Sequence, residues 1–321
     1  DEKIAYHGDG TNELHMVFNF PLMRTEVLTP NWIRNNQAQR IKALEKISRE
    51  AWPCNTLGNH DSPRIWTRYG DGKHNAEQAR LFLALMLTLK GTPFLYNGEE
   101  IGMTDLYLDD ISQFRDTLGL LYYQAQVNEL GLTPLDALQR AARLTRDKNR
   151  TPMQWDNTAN AGFCPEGTAP WLPVNPDFAL GVNVQEQETD RQSLLNFYRN
   201  LLKLRKSIPA LIAGGYEVYH PRNPRILSFL RQIPGQTCLV ALNFSAEKAG
   251  LYLPDVPGEI KIWFSSENTS CEIRPGKQIP RLPDVVYFLR SQPIGINISL
   301  IPHNVFRSLQ LINTQTQRDR R

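Results

Sequence analysis

An α/β fold followed by an all-β tail is predicted by three observations. Residues 1–100 alternate short apolar runs with amphipathic stretches. Each apolar run ends in polar residues. After Gly214–Gly215 the periodicity becomes strand-like and stays so to the end. Alternation of this kind argues for a parallel sheet with helical crossovers. A change of period argues for a second domain of different class. The expected division is residues 1–210 and residues 211–321.

The elements follow in order. "ELHMVFNF" (Glu13 to Phe20) is a short apolar run broken by Pro21 and predicts a buried strand. "TPNWIRNNQAQRIKALEKISRE" predicts a helix, with Thr29 as cap, Pro30 in the first turn, and Ile33, Ile41, Leu44 and Ile47 on one face. A strand then leads to Gly58. "NAEQARLFLALMLTLK" is a second helix, ended by Gly91. "TPFLYNG" is another short buried strand. Between Thr104 and Gln187 the pattern loosens into helical pieces and long loops, which tend to carry function. "DRQSLLNFYRNLLKLRKSIPAL" is an amphipathic helix ended by Pro209. The tail reads as the strands "YEVYH", "RILSFLR", "TCLVALNF", "GLYLP", "EIKIWFS" and "INISLI", with "HNVFRSLQL" last. Pro234–Gly235 makes a hairpin turn between two of them, and the block predicts a small β-sandwich.

Composition narrows the class. The chain has 321 residues, 41% hydrophobic, with a net charge of +3, an ordinary globular balance. Much of the positive excess sits in the Arg318–Arg321 tail. No basic stripe with interleaved aromatics occurs, so nucleic acid is not an expected partner. "LFLALMLTL" is too short to span a bilayer, so no membrane is expected either. Cys54, Cys164, Cys238 and Cys271 are scattered, without CxxC or zinc spacing. They suit thiols in a reducing compartment such as the cytoplasm. The chain opens on Asp1, not methionine, and carries no signal-peptide pattern there.

The stretch "NTLGNHDSPR" holds the first candidate site. Asn59, His60 and Asp61 follow a buried strand, at the end where parallel α/β folds build their sites. A capped loop is the bland account of one His–Asp pair. Arg64 close by offers to hold a carboxylate, and such a carboxylate can bind sugar hydroxyls and oppose positive charge at an anomeric carbon. Glu99 and Glu100 are adjacent on a segment expected to be extended, so they point to opposite sides. One is expected near the site and the other on loop backbone. Asp109–Asp110 reads as a solvated turn. In "NRTPMQWD", Arg150 precedes a mix of Met153 and Trp155, expected to be buried, with Gln154 and Asp156. For Trp155, Phe163 and Trp171, core packing is the safer expectation, with stacking on a sugar face as the alternative.

Several segments together resemble the α-amylase superfamily of glycoside hydrolases, in its α-glucosidase and oligo-1,6-glucosidase branch: "ELHMVFNFPLM", "GNHDSPR", "GTPFLYNGEEIGM", "NRTPMQWD", "WLPVNP" and "SLLNFYRNLLKLRKSIPAL". They stand in the family's order and cover most of residues 1–210. The resemblance implies the C-terminal part of a (β/α)8 TIM barrel, strands 6 to 8 and the final helix, followed by the family's β-sandwich. It implies that Asp61 is the third acidic residue of the catalytic trio, the one that steadies the transition state. It implies that His60 binds the same sugar and that Arg150 helps hold the non-reducing-end glucose.

One departure stands beside that likeness. Retaining glycosidases need a nucleophile and a general acid, about 5–5.5 Å apart. In this family the nucleophilic Asp sits in a "GFRxD"-type motif after the fourth strand and the acid Glu follows the fifth. Neither motif occurs here, so both are expected upstream of Asp1, and the chain alone is expected to be inactive. Its partners are then an oligosaccharide or α-glucoside substrate and the missing N-terminal half of the barrel. An open set of barrel strands leaves an unpaired edge, and poor solubility is expected of the chain made alone. Competing expectations are a trehalose-synthase-like isomerase or transglucosidase, a non-catalytic partner-binding domain like the amino-acid transporter heavy chains, and an inert remnant. No redox or nucleotide cofactor is implied. Calcium occurs in the superfamily, but the resemblance maps no calcium ligand onto this sequence.

Overall fold

A computed structural model describes residues 5–7, 12–47 and 51–246, and the backbone of 251–254, 273–274 and 298–301. It divides into two compact units. The first comprises residues 1–28, 36–87 and 91–203; the second comprises 29–35, 88–90 and 204–321.

In the first unit the strands β1 (Cys54–Thr56) and β2 (Thr92–Phe94) pair in parallel, with Cys54 opposite Thr92 and Thr56 opposite Phe94. The helix Asn75–Thr88 makes the crossover between them. Leu81, Leu83, Ala84, Leu85, Met86 and Leu87 are all buried, so the second half of this helix is buried on every side, as a core segment must be. The preceding helix, Pro30–Glu45, starts where Thr29 and Pro30 predict: the Thr29 hydroxyl accepts the Trp32 N–H at 3.2 Å. Ile33, Ile41 and Leu44 form its buried face.

The first expected strand is reduced. Of "ELHMVFNF", Phe18 alone makes a parallel bridge, to Cys54. Leu14 and Phe18 are exposed. The Val17 carbonyl is taken by the Arg40 guanidinium instead of a ladder partner. Asn19 then caps the helix Phe20–Arg24, accepting the Leu22 N–H. The Asn19 carbonyl accepts the Leu22 and Met23 N–H groups, so two carbonyls of the expected strand are spent on a side chain and a helix start. β2 is likewise only half covered, and its Phe94 is exposed.

Beyond β2 a helical hairpin runs through Thr117–Asn128 and Pro134–Leu144. Ala137, Ala141 and Ala142 are buried on the second helix; Ala141 and Ala142 pack with Leu108, Phe114 and Leu172. Thr133 caps this helix: its hydroxyl donates to the Asp136 carboxylate at 2.7 Å and accepts the Asp136 N–H at 3.2 Å. Thr133→Ala is expected to cost about 1 kcal/mol, measured by chemical denaturation. The amphipathic helix Leu194–Ser207 buries Leu194, Leu195, Phe197 and Leu201. Pro209 ends it and opens the short helix Pro209–Ala213.

In the second unit β3 (Glu217–Tyr219), β4 (Ile226–Ile233) and β5 (Gln236–Asn243) form an antiparallel sheet in the order β3-β4-β5. Pro234–Gly235 links β4 to β5 with Ile233 opposite Gln236, and Gly235 has φ +81°. Proline followed by a left-handed glycine is the type II pattern. The strands β6 (Leu251–Pro254), β7 (Ile273–Arg274) and β8 (Ile298–Ile301) form a parallel set, in the order β6-β8-β7. "EIKIWFS", "HNVFRSLQL" and Cys271 lie outside the described residues. Arg231 is fully buried on β4 and donates to the carbonyls of Thr88, Gly214 and Gly215. Among the described residues, Cys54, Cys164 and Cys238 form no disulfide with one another.

Candidate active site

The site is built at the carboxyl end of β1. There the chain turns through Asn59, whose side chain accepts the Asp61 N–H at 2.9 Å and whose carbonyl accepts the Ser62 N–H at 3.2 Å. This turn lifts His60 and Asp61 to the surface. The His60 Nε2 lies 3.5 Å from the Asp61 Oδ2, and the two side chains are 65% and 46% exposed.

Arg150 arrives from the other side of the loop region. Its Nη2 donates to the Asp61 Oδ1 at 2.8 Å and its Nε donates to the His60 carbonyl at 2.8 Å. The structure therefore brings His60, Asp61 and Arg150 together. Asn149 supports them from behind: its side-chain amide donates to the Asn59 carbonyl at 3.1 Å, and its own carbonyl accepts the Tyr96 hydroxyl at 2.9 Å.

Arg64 does not hold Asp61. It is buried, its Nη1 donates to the Asn97 carbonyl at 2.7 Å, its backbone N–H donates to Asp105, and it lies over the Tyr96 ring. The second guanidinium on Asp61 belongs to Arg146, whose Nη1 reaches the Oδ1 at 3.2 Å. Sequence reasoning missed Arg146. A signal was present, since "TRDKNR" carries a second arginine four positions before Arg150. The charge balance at Asp61 has several parts. Partial burial pulls the carboxyl up; His60, Arg146 and Arg150 outweigh that and hold it below the usual carboxylate range.

Glu99 and Glu100 also depart from expectation. They sit on a tight 3-10 turn, Glu99–Ile101, not on an extended segment. Both serve loop backbone: Glu99 Oε2 accepts the Tyr96 N–H at 3.1 Å and Glu100 Oε2 accepts the Gly98 N–H at 2.9 Å. Glu99 is 4% exposed, and burial pushes its carboxyl up to about 8, against the Tyr96 N–H and Arg64, which pull it down. The folded chain thus keeps a proton that the unfolded chain has already lost. Stability is expected to fall as pH rises from the ordinary carboxylate range toward about 8. In Glu99→Gln that slope should flatten, as read from denaturation midpoints at about pH 5 and about pH 8.

The aromatic expectations are corrected too. Trp155, Phe163 and Trp171 are 50%, 40% and 63% exposed, so none is core. Met153 is buried as expected, and Gln154 beside it is buried as well. Asp110 sits in an exposed turn, accepting the Ser112 N–H. Among the described residues no cluster of His, Cys, Asp and Glu suits a metal ion. No described helix is long and apolar enough to cross a membrane.

Residues 1–214 match the alpha-amylase catalytic domain, and residues 216–272 match the maltogenic amylase C-terminal domain. The chain belongs to the alpha-amylase family. Among similar family members, a probable oligo-1,6-glucosidase of Bacillus subtilis is 35% identical over 79% of this chain and 46% of its own. A trehalose-6-phosphate hydrolase of the same species is 36% identical over 79% of this chain and 46% of its own. An isomaltulose synthase of Erwinia rhapontici, solved with its natural substrate sucrose, matches with a TM-score of 0.65 and 31% identity. That match covers 77% of this chain and 45% of the synthase. The chain spans about half the length of these alpha-amylase relatives. Solved neighbours of this identity are TIM-barrel glycosidases, and the parallel pairing of β1 with β2 fits such a sheet.

Proposed function

We propose that this chain is part of a retaining α-glucosidase-type glycoside hydrolase acting on terminal α-linked glucosides. The observation that carries this reading is the convergence of His60, Asp61 and Arg150 at the carboxyl end of β1. In a barrel enzyme that end faces the substrate. Asp61 is the transition-state stabiliser: its carboxylate hydrogen-bonds sugar hydroxyls and opposes the positive charge that develops at the anomeric carbon. His60 binds the same sugar ring, and Arg150 holds the non-reducing-end glucose. The nucleophile and the acid come from residues that this chain does not supply, so the chain by itself turns over no glucoside. The substrate is an α-glucoside or a short oligosaccharide. The division is at residue 210, with barrel before it and β domain after it, and the compartment is the bacterial cytoplasm.

A second reading, isomerisation of a disaccharide, is favoured by the likeness to an isomaltulose synthase. It uses the same three residues and differs in excluding water. The deciding experiment uses the polypeptide encoded by the complete open reading frame that contains this chain. It is assayed on p-nitrophenyl α-glucoside, with the first-formed anomer followed by NMR. Release of α-glucose supports the hydrolase. A rearranged disaccharide from sucrose, without net hydrolysis, supports the second reading. A reading frame with no upstream aspartate and glutamate carboxylates of the expected motifs, or an inert product, overturns both.

A further inference from the structure

Both ends of the helical hairpin meet beside Asp61. Asp116 caps the first helix, accepting the Leu118 N–H at 3.2 Å. Thr145 closes the second, its N–H donating to the Ala141 carbonyl. Asp147 ties the two ends together. Its Oδ2 accepts the N–H groups of Arg115 and Asp116, at 2.8 and 2.9 Å, and the Thr145 hydroxyl at 3.1 Å.

Arg146 completes this clasp and extends from it. Its Nη2 and Nε donate to the two oxygens of Asp116, at 2.6 and 3.0 Å, and its backbone N–H donates to the same carboxylate at 2.9 Å. The Asp116 side chain is 1% exposed. A planar guanidinium gripped along one edge by a buried carboxylate has little freedom left. The remaining edge carries the Nη1 that bonds Asp61.

We propose that Arg146, held by Asp116, is a positioning residue for Asp61, and that the helical hairpin is the fixture from which it works. The inference rests on the reading of Asp61 as transition-state stabiliser. Asp61 is half exposed and bonded by two guanidiniums through the same oxygen, Oδ1. When a sugar engages Arg150, that contact is shared or lost. Arg146 keeps its grip because its other edge is already committed to Asp116. Oδ1 stays pinned, and Oδ2 is left for the sugar. A carboxylate free to rotate would spend much of its time out of the productive geometry, and misplacement by about 1 Å costs on the order of 100-fold in rate.

The test compares wild type, Arg146→Gln, Arg146→Lys and Asp116→Asn in the complete natural polypeptide. Two quantities are read: kcat and KM on p-nitrophenyl α-glucoside, and the titration of the Asp61 carboxyl by NMR of carboxyl-labelled aspartate. In Arg146→Gln, kcat should fall roughly 10- to 100-fold with KM within about threefold, and Asp61 should titrate at higher pH. Lysine keeps the charge without the fork, so Arg146→Lys should be intermediate. Asp116→Asn should move both readouts in the same direction. Wild-type kcat and an unchanged Asp61 titration in a folded Arg146→Gln protein overturn the proposal. If Arg146→Gln does not fold, Arg146→Lys and Asp116→Asn decide it by the same two readouts. If wild type hydrolyses nothing, the hydrolase reading fails, and the titration still shows whether Arg146 and Asp116 set the state of Asp61.

Discussion

Asp61→Asn is expected to reduce kcat of the complete polypeptide by roughly 100- to 1,000-fold. The amide has the shape of the carboxylate but no charge. It cannot oppose the charge that develops at the anomeric carbon, and that contribution is made mainly in the transition state, so kcat should fall more than KM rises. The fold should notice much less. Asp61 is 46% exposed and its partners Arg146 and Arg150 are 35% and 29% exposed. Ion pairs this open to water contribute little to stability. The expected signature is therefore a large loss of rate with a nearly unchanged denaturation midpoint. An unchanged rate would remove Asp61 from the site.

Gly58→Ala is expected to destabilise the fold by about 1–3 kcal/mol. A Cβ at residue 58 would stand 2.3 Å from the Glu99 Oε1 and 3.5 Å from its Cδ. Glu99 cannot swing aside, because it is buried and its other oxygen holds the Tyr96 N–H. The glycine lies between β1 and Asn59, so the strain falls on the turn that carries His60 and Asp61. Denaturant unfolding of Gly58→Ala, Glu99→Ala and the double variant checks this: the double should be less unstable than the sum of the singles. Additive losses would show that the contact does not matter.

His60, Asp61 and Arg150 were legible as candidates, in a polar triplet after an apolar strand and before an odd loop, while the roles proposed for them are what the family resemblance implies. Arg146 and Asp116 were not. Their partnership joins positions thirty apart, across a helical hairpin whose closure no local pattern announces. Arg64 was assigned by nearness in sequence, but its guanidinium points away to Asn97 and Tyr96. The first strand looked secure by composition, yet a strand exists through its partners, and here Arg40 and the start of the next helix take the Val17 and Asn19 carbonyls. Trp155, Phe163 and Trp171 show the same limit for burial, since apolarity says what a side chain prefers and not whether anything covers it.

Local sequence was enough for the alternation of strand and helix, the cap at Thr29, the helix end at Pro209, the hairpin at Pro234–Gly235 and the polar triplet where β1 ends. These follow from local sterics and from hydrophobic period, which act over a few residues. Which charges meet was settled by the fold. It placed two guanidiniums on one oxygen of Asp61, buried Glu99 against Gly58, and turned Arg64 away. Ion pairs and burial depend on distances between segments remote in the chain, and the folding of the whole unit sets those distances.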